Sequence, residues 1–544
     1  MDVFTIKDLT YVYPTTNEMA LENLSFTIDE GAFVLVGGAS GSGKTTLLKL
    51  LKKEVAPFGE IKGEIIYRGT NLVEVDEERS AKEIGFVPQN PEAGIISDKV
   101  WHELAFGLEN LGVPTKEIRR RVGEMASFFG MEAWFQSDTA TLSGGQKQML
   151  NLASVMVMRP KILLLDEPVA QLDPIASERF LEVVRKINRE LGVSIVMTAH
   201  TFDPLFADAT KVIILDKGRL IVEGKPTDIP EQVKSHPIQK ALPLSIQTAL
   251  ALGEKAMPLS IAEGKKMLSQ YFEREKPQAQ KAKLEEKKKK SIHIKNVSFR
   301  YSKNTRDILK NLDVTVFENE ILCLFGGNGS GKTTLLHCIA GLRKPYEGTC
   351  KIAYQTALLP QNPQTMFLHE TVEKDLYSLL GQITIEKTDF EKKMNQLVEQ
   401  FGVRHLLGHH PYDLSGGEQQ KCALIKLLLS QTAKNVILLL DEPSKGLDYF
   451  AKEELIQMLL QLREQGIMCI ITSHDVEFGA KIADRCGLLF DGEIISIGEP
   501  SEFFSQNYFY TTTAHRLSEH LFSQVITQEE LLRRCEEVGA NETD

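Results

Sequence analysis

The chain lacks any apolar run that approaches the roughly 18–20 residues needed to span a bilayer. It also lacks an excess of positive charge, because its 544 residues carry a formal net charge of −11 with a pI near 5.7. Phosphate backbones are bound by clustered cations, so a broad nucleic-acid surface is disfavoured. No basic region followed by a long apolar stretch opens the sequence, and we expect no signal peptide. These features favour a cytosolic protein that reaches any membrane through partners.

Cysteine is absent before Cys323, and the seven cysteines of the chain form no CxxC pair. Thiolate metal sites usually show such paired spacing. We therefore expect reduced thiols that are buried or incidental, rather than metal ligands.

What the chain does have is a long internal repeat. At roughly 150 residues per domain, its length allows two to four domains. Four segments return in the same order with nearly the same spacing: GASGSGKTTLL as GNGSGKTTLL, LSGGQKQ as LSGGEQQ, LLLDEPVAQLD as LLLDEPSKGLD, and MTAH as ITSH. The main difference in spacing is that the first copy carries extra residues just after its glycine-rich loop. Two copies of one domain explain this pattern.

Each copy is predicted to be α/β. Short apolar runs such as ILCLFGG and KILLLDEP are typical of buried parallel strands, and helical patterns separate them. We place the first domain at residues 1–231, a helical segment and charged linker at 232–290, the second domain at 291–500 and a helical tail at 501–544. Ser260 and Glu263 form a predicted capping box for a short helix that runs to about Phe272.

The last part of the linker, residues 273–290, is almost free of apolar side chains and is predicted to be a solvated tether. Its lysines leave contact with an anionic membrane surface open as the less favoured interpretation.

Both copies contain a loop of the form GxxxxGK[ST] between an apolar strand and a helical run. The glycines let consecutive N–H groups turn inward around phosphate oxygens, and the helix N-terminus adds partial positive charge. Such a loop predicts ATP binding, with Lys44 and Lys332 on the β- and γ-phosphates. The candidate binding residues are Gly38, Ser40, Gly41, Gly43, Lys44, Thr45 and Thr46, and Gly326, Asn328, Gly329, Gly331, Lys332, Thr333 and Thr334.

An Asp-Glu pair ends a later apolar strand in each copy. A carboxylate at the C-terminal end of a strand points into the crevice where α/β sheets bind ligands. Asp166 and Asp441 are therefore predicted to hold Mg²⁺, together with the hydroxyls of Thr45 and Thr333. Glu167 and Glu442 are predicted to polarise the attacking water as general bases.

A histidine and a glutamine occur at matched positions of both copies. His200 and His474 each end a further strand pattern and are predicted to sense the γ-phosphate and align the water. Gln89 and Gln361, in the matched PQNP segments, are predicted to bind Mg²⁺ or water and to report the nucleotide state.

The segments LSGGQ at 142–146 and LSGGE at 414–418 identify the chain as similar to the ABC ATPases over roughly residues 1–230 and 291–500. The resemblance implies two tandem P-loop domains, each with a mainly parallel sheet core, an antiparallel β subdomain and a helical signature subdomain. It also implies that the domains pair head to tail, with two ATP molecules between them. One composite site would use Lys44, Asp166 and Glu167 with Ser415 and Gly417, and the other Lys332, Asp441 and Glu442 with Ser143 and Gly145.

Within that family an aromatic residue stacks on adenine, and Tyr13 and Tyr301 match it; as strand aromatics they could equally belong to the core. Ala170 and Lys445 replace the usual serine in the segments that end at Asp173 and Asp448, which puts cross-talk through this loop in doubt. No departure removes a catalytic group, so we expect two competent sites.

The segments PQNP, AFGLEN at 105–110 and DEPSKGLD at 441–448 resemble ATPases of energy-coupling factor (vitamin) importers. The tail at 509–535 is similar to fused two-domain ATPases linked with uptake of thiamine and its precursor hydroxymethylpyrimidine. The resemblance implies two membrane partners, a transmembrane coupling subunit and a substrate-binding subunit. The ATPase would be peripheral, at the cytoplasmic face of the membrane. It would contact these partners through the region just after each glutamine, including His102–Leu108.

Two other interpretations stay open. Soluble twin-domain ABC proteins act on ribosomes as translation factors, and they also have two sites and a charged linker. The fused ATPases of sugar importers usually have one degraded site, and the intact Glu167 and Glu442 argue against that group.

Overall fold

The computed structural model describes residues 2–14, 19–203, 205–273, 289–383, 385–431 and 435–541. The chain divides into two compact units, Met1–Gln247 and Thr248–Asp544. Most of the predicted tether lies outside the described residues. Lys289 is described, and its ammonium group lies 2.8 Å from the carboxylate of Glu318.

The first unit is built on two sheets. Its strands are β1 (Asp2–Val12), β2 (Met19–Asp29), β3 (Phe33–Gly37), β4 (Glu60–Tyr67), β5 (Thr70–Asn71), β6 (Ile84–Val87), β7 (Ile162–Leu165), β8 (Ser194–Ala199), β9 (Lys211–Asp216) and β10 (Arg219–Gly224). Its helices are α1 (Lys44–Leu50), α2 (Glu77–Glu83), α3 (Val100–Asn110), α4 (Thr115–Phe128), α5 (Gly144–Met156), α6 (Pro174–Leu191) and α7 (Ile229–Gln232). Helix α8 (Leu244–Ala251) runs across the division between the units.

The second unit repeats this plan. Its strands are β11 (Lys290–Phe299), β12 (Leu309–Phe317), β13 (Ile321–Phe325), β14 (Glu347–Ile352), β15 (Gln355–Leu359), β16 (Val436–Asp441), β17 (Met468–Ser473), β18 (Arg485–Phe490) and β19 (Glu493–Gly498). Its helices are α9 (Ile261–Tyr271), α10 (Lys332–Ile339), α11 (Val372–Tyr377), α12 (Lys387–Gln400), α13 (Gly416–Leu429), α14 (Tyr449–Glu464), α15 (Val476–Ile482), α16 (Pro500–Gln506), α17 (Thr513–Ser518) and α18 (Gln528–Asn541).

The two large sheets have the same strand order. In the first unit it is β10-β9-β3-β8-β7-β6, and in the second β19-β18-β13-β17-β16-β15. All neighbours in each sheet are parallel except the antiparallel edge pair β9 with β10, or β18 with β19. Each unit also has a smaller antiparallel sheet, β2-β1-β4-β5 or β12-β11-β14. The predicted fold class is confirmed.

The extra residues of the first copy form a defined local structure. Between β4 and β6 they build the short strand β5 and helix α2, whereas β14 and β15 of the second unit follow each other closely. Asp76 caps α2, since its side chain accepts a hydrogen bond from the N–H of Arg79. The insertion therefore lengthens the small sheet and leaves the large sheet unchanged.

The linker helix and the tail pack together in the second unit. The capping box at Ser260 and Glu263 is confirmed at the start of α9. The Lys265 ammonium lies 2.5 Å from the Glu519 carboxylate just after α17, and the rings of Phe272 and Phe522 meet edge to face at 5.2 Å. None of the helices in the described part of the chain is long and apolar enough to cross a membrane.

A bulge in β11 fixes the small sheet of the second unit. Asn296 has a φ of 50°, and the register between β11 and β14 shifts between Lys295 and Ser298. Gly348 lies opposite with a φ of 87°, and a Cβ atom there would come within 2.2 Å of the Asn296 carbonyl oxygen. Glycine is therefore required on both conformational and steric grounds.

Gly348→Ala is expected to lower the free energy of unfolding by about 3 kcal/mol or more, because left-handed strain and a backbone clash add together. The melting temperature measures the effect. Gly381→Ala is the control, because a Cβ there meets open space. Equal melting temperatures for the two variants would contradict this account.

Candidate functional site

Each glycine-rich loop joins the central strand of a large sheet to a helix. The first lies between β3 and α1, and the second between β13 and α10. The buried Lys44 ammonium donates hydrogen bonds to the carbonyl oxygens of Gly38 at 2.8 Å and Ala39 at 2.9 Å. Lys332 donates to those of Gly326 at 2.8 Å and Gly327 at 3.3 Å. Both loops thus curl around their own lysine.

Glycine is necessary in these loops because the chain runs close to its neighbours. A Cβ on Gly38 would lie 2.3 Å from the Leu215 carbonyl oxygen, and one on Gly326 would lie 2.4 Å from that of Leu489. Gly41 and Gly329 have φ values of 75° and 78° and face open space. The open side of each loop is therefore lined by backbone and can admit a polyanion to its N–H groups. Ser40 and Asn328, both exposed, lie at this side.

The first acid of each pair binds two threonine hydroxyls. Asp166 accepts hydrogen bonds from Thr45 and Thr198, each at 2.9 Å. In the second unit, Asp441 accepts from Thr333 at 2.7 Å and from Thr472 at 2.6 Å. The structure therefore brings each predicted metal-binding threonine and aspartate together. Burial raises the pKa of Asp166; hydrogen bonds from Thr198 and Thr45 oppose this and the Glu167 charge reinforces it.

Two further site residues, Thr198 and Thr472, are not predicted from the sequence motifs. Each threonine hydroxyl binds the aspartate and also accepts a hydrogen bond from the N–H of the glutamate that follows the aspartate. The distance is 2.8 Å for Glu167 and 3.3 Å for Glu442. The signal was available, since each threonine stands two positions before the predicted histidine in the matched segments MTAH and ITSH. Alternate residues of a strand share a face, so the threonine and histidine point the same way.

The second acid of each pair has an unusual backbone. Glu167 and Glu442 have φ values of 43° and 51°, in the left-handed region that residues other than glycine rarely adopt. Their side chains are buried, and each is met by the lysine of its own loop, at 3.9 Å from Lys44 and 3.2 Å from Lys332. Strain of this kind persists only where surrounding contacts impose it.

Each of these glutamates is also bound by the predicted histidine. His200 Nε2 lies 2.6 Å from a Glu167 carboxylate oxygen, and His474 Nδ1 lies 2.7 Å from that of Glu442. Burial would raise the pKa of Glu442, but the hydrogen bond and charge of His474, with the charge of Lys332, lower it to about 2. This carboxylate is therefore an ionised acceptor near neutral pH.

The two predicted glutamines are placed differently. The Gln89 amide donates a hydrogen bond to Glu167 at 2.7 Å, so the first unit joins the glutamine to the glutamate. Gln361 is exposed, and no hydrogen bond from its side chain to a described residue is seen. The structure thus joins Gln89 to the cluster and shows no such bond for Gln361 among the described residues.

The tyrosines lie next to the loops. The hydroxyl of Tyr13 is 3.0 Å from that of Thr46, and the hydroxyl of Tyr301 is 3.1 Å from that of Thr334. Tyr301 is 54% exposed, so its ring is open to a ligand rather than part of the core.

The signature serines stand apart from this cluster within each unit. Ser143 and Ser415 cap helices α5 and α13 in full capping boxes with Gln146 and Glu418. The difference between glutamine and glutamate at this position therefore leaves the local structure the same. Gly145 and Gly417 allow close helix packing, because a Cβ on either would lie 2.9 Å from the Cβ of Ala176 or Ala451.

Comparison with known proteins gives the family. A family profile for ABC transporters matches residues 21–170 and 309–445. The chain belongs to the ABC transporter ATPases, with two such domains in tandem. This ABC ATPase is 39% identical to a protein of Bacillus thuringiensis subsp. konkukian assigned as an ABC transporter ATP-binding protein, over 97% of this chain and 98% of the relative. A protein of Methanosarcina mazei with the same assignment is 30% identical, over 92% of this chain and 89% of its own.

A solved structure extends the similarity of fold to both domains. The archaeal ribosome recycling factor aABCE1, in complex with ribosomal stalk protein aP1, matches with a TM-score of 0.59. It covers 92% of this ABC ATPase and 91% of its own chain, at 19% sequence identity. At that identity the likeness concerns the fold alone.

ABC ATPase domains bind and hydrolyse ATP and typically depend on Mg²⁺, and the residues present fit both. Hydroxyl and carboxylate oxygens are the donors that Mg²⁺ prefers, and Thr45 with Asp166, or Thr333 with Asp441, supplies such a pair. The buried hydroxyls of Ser42 and Ser330 at the loops make no hydrogen bond to a described residue. The loops thus retain polar groups and an ammonium that suit phosphate oxygens.

Thr472→Val is expected to lower the free energy of unfolding by about 1–3 kcal/mol, because it removes the hydroxyl that donates to the buried Asp441 carboxylate at 2.6 Å and leaves that oxygen without this partner. Thermal unfolding measures the loss. Thr472→Ser keeps the hydroxyl and is the matched control. The assignment of this hydrogen bond would be wrong if the valine variant melted at the temperature of the serine variant.

Proposed function

We propose that the chain hydrolyses ATP with Mg²⁺ at two sites and thereby drives an importer in the membrane. The observation that carries the catalytic part is the repeated cluster in which a buried glutamate of strained backbone is bound by a lysine and a histidine. Such a carboxylate, buried and oriented by its partners, suits a general base that takes a proton from the attacking water.

The other residues of each site are proposed to bind the phosphates, Mg²⁺ and adenine and to orient the glutamate. The loop N–H groups with Lys44 or Lys332 bind the phosphates, and Thr45 and Asp166, or Thr333 and Asp441, hold Mg²⁺. His200 and His474 orient the glutamate and sense the γ-phosphate. Tyr13 and Tyr301 stack on adenine. We retain the proposed boundaries at 1–231, 232–290, 291–500 and 501–544.

The sites are proposed to be composite, as in the family. Each would be completed by the signature of the other domain, Ser415 and Gly417 for the first and Ser143 and Gly145 for the second. The capping boxes support this, because they hold a helix N-terminus with partial positive charge at each signature. ATP binding would close the two halves around both nucleotides, and hydrolysis would release them.

Glu442→Gln and Glu167→Gln, each made singly, are expected to lower ATP turnover of the purified transporter complex strongly, because the amide cannot accept the proton of water. Loss of a general base typically costs about 10²-fold to 10⁴-fold at the site concerned. Phosphate release measures turnover, and Glu132→Gln, at an exposed carboxylate, is the control. If Glu442→Gln left turnover unchanged, the second site would not be competent.

Coupling to a membrane importer is supported by the relatives, which are assigned as ABC transporter ATP-binding proteins over nearly their whole length. The segments PQNP and AFGLEN, similar to those of energy-coupling factor ATPases, favour that class. The tail at 509–535 favours thiamine or its precursor hydroxymethylpyrimidine as the transported solute. The chain would then lie at the cytoplasmic face of the membrane with a coupling subunit and a substrate-binding subunit.

The segments after the two glutamines suit partner docking. Ile96 and Leu368 stand at matched positions there, and their side chains are 70% and 83% exposed. A buried carboxylate at a matched position holds each backbone: Glu103 accepts from the Ile96 N–H, and Asp375 from the Leu368 N–H. An exposed apolar side chain on a fixed loop is a suitable anchor for a partner.

Ile96→Asp and Leu368→Asp together are expected to abolish co-purification of membrane proteins with the tagged chain from detergent-solubilised membranes. A charge at an apolar anchor leaves a desolvated carboxylate in the interface. Val73→Asp is the control, since Val73 lies on the inserted segment of the first unit and is as exposed as Leu368. Recovery of ribosomes in place of membrane proteins would favour the translation-factor alternative and contradict the importer.

A further inference from the structure

The guanidinium group of Arg343 lies over the aromatic ring of Tyr301. The guanidinium carbon of Arg343 lies 5.6 Å from the ring centre. The ring is fixed by its hydroxyl, bonded to Thr334, and by an edge-to-face contact with Phe299 at 5.2 Å between ring centres. A guanidinium within about 6 Å of a ring centre is attracted to the face of the ring. Arg343 and Tyr301 therefore form a pair beside the second glycine-rich loop.

Among the described residues of the first unit, no arginine or lysine forms such a pair with the matched tyrosine. Tyr13 has the same hydroxyl contact with Thr46 and meets Tyr11 edge to face at 4.9 Å. No cationic side chain lies over the Tyr13 ring in the described part of the chain. The reason is visible in the sequence: Arg343 follows the loop lysine Lys332 by the same number of residues as Val55 follows Lys44.

The guanidinium of Arg343 has no carboxylate partner among the described residues. The Arg343 side chain is exposed. The neighbouring Arg300, by contrast, is paired with Asp307 at 3.2 Å and stacks on Tyr346 at 4.3 Å. Of these two arginines, Arg343 is the one with a guanidinium available to a ligand.

A planar guanidinium can stack on a base as well as on tyrosine, and its charge attracts phosphate. Thr334 is the second residue after Lys332, so the Tyr301 ring lies beside the phosphate-binding loop. A base on this ring would therefore be within reach of the flexible Arg343 side chain, and the triphosphate would feel its charge.

We propose that Arg343 is a nucleotide-binding residue of the second unit, which holds the adenine of ATP against Tyr301 and makes this site bind ATP more tightly than the first. The proposal rests on the proposed function, in which Tyr301 stacks on adenine. It assigns the two sites different affinities through a residue outside the repeated motifs.

The test measures binding of AMP-PNP with Mg²⁺ to the full chain by calorimetry, one site at a time. Lys44→Ala leaves the second site, and in that background Arg343→Val is expected to raise the Kd about three-fold to ten-fold. Arg343→Lys keeps the charge without the plane and should give an intermediate Kd. Lys332→Ala leaves the first site, where Val55→Ala is the matched control and should not change the Kd.

Tyr301→Leu in the Lys44→Ala background distinguishes the role of Arg343 from the stacking of adenine on Tyr301. If Tyr301→Leu weakens binding and Arg343→Val leaves the Kd unchanged or lowers it, the role of Arg343 is overturned while adenine stacking stands. If Tyr301→Leu has no effect, the proposed adenine site itself fails, and the role of Arg343 against it fails too. Because Arg343 is exposed, its variants are expected to fold as the original chain does.

Discussion

The structure of each unit depends on burying a lysine and a glutamate side by side. Lys332 and Glu442 lie 3.2 Å apart with side chains only 7% exposed, and Lys44 and Glu167 are buried in the same way. A buried charge without partners costs several kcal/mol, so the surrounding chain must supply hydrogen bonds. The strand order β3-β8-β7, or β13-β17-β16, does this, because it sets the loop, the threonine and histidine, and the Asp-Glu pair on neighbouring strands. The strand order of the large sheet is thus what brings the partners of the buried lysine and glutamate together.

The strained backbone of the glutamates follows from the same requirement. A left-handed residue turns its side chain back toward the loop lysine, and the N–H that this exposes is bonded to the hydroxyl of Thr198 or Thr472. Strain of about 1–3 kcal/mol is thereby held in place by buried hydrogen bonds. Both copies show the outlier at a buried carboxylate that a lysine and a histidine contact, and this setting is what ties it to function.

Much of this could be predicted from the sequence, because the motifs encode local chemistry. The α/β class, the loop lysines and the Asp-Glu pairs follow from residue types in context, and the sheet confirms the class. Contacts that depend on tertiary packing could not be predicted. The pairing of linker helix α9 with the tail, the packing of Gly145 against Ala176 and the exposure of Gln361 are examples. Thr198 and Thr472 could be predicted only in part. The repeated segments indicate that they matter, but only the sheet shows that they bind Asp166 and Asp441.

The two halves share one architecture but differ in detail: Gln89 is bound where Gln361 is exposed, and Val55 stands where the second copy has Arg343. The central claim is nevertheless that both halves bind nucleotide. It is tested most directly by counting the ATP molecules retained per chain when Glu167→Gln and Glu442→Gln are combined and Mg²⁺ is present. We predict two ATP molecules per chain. A value of one at saturating ATP would contradict the account.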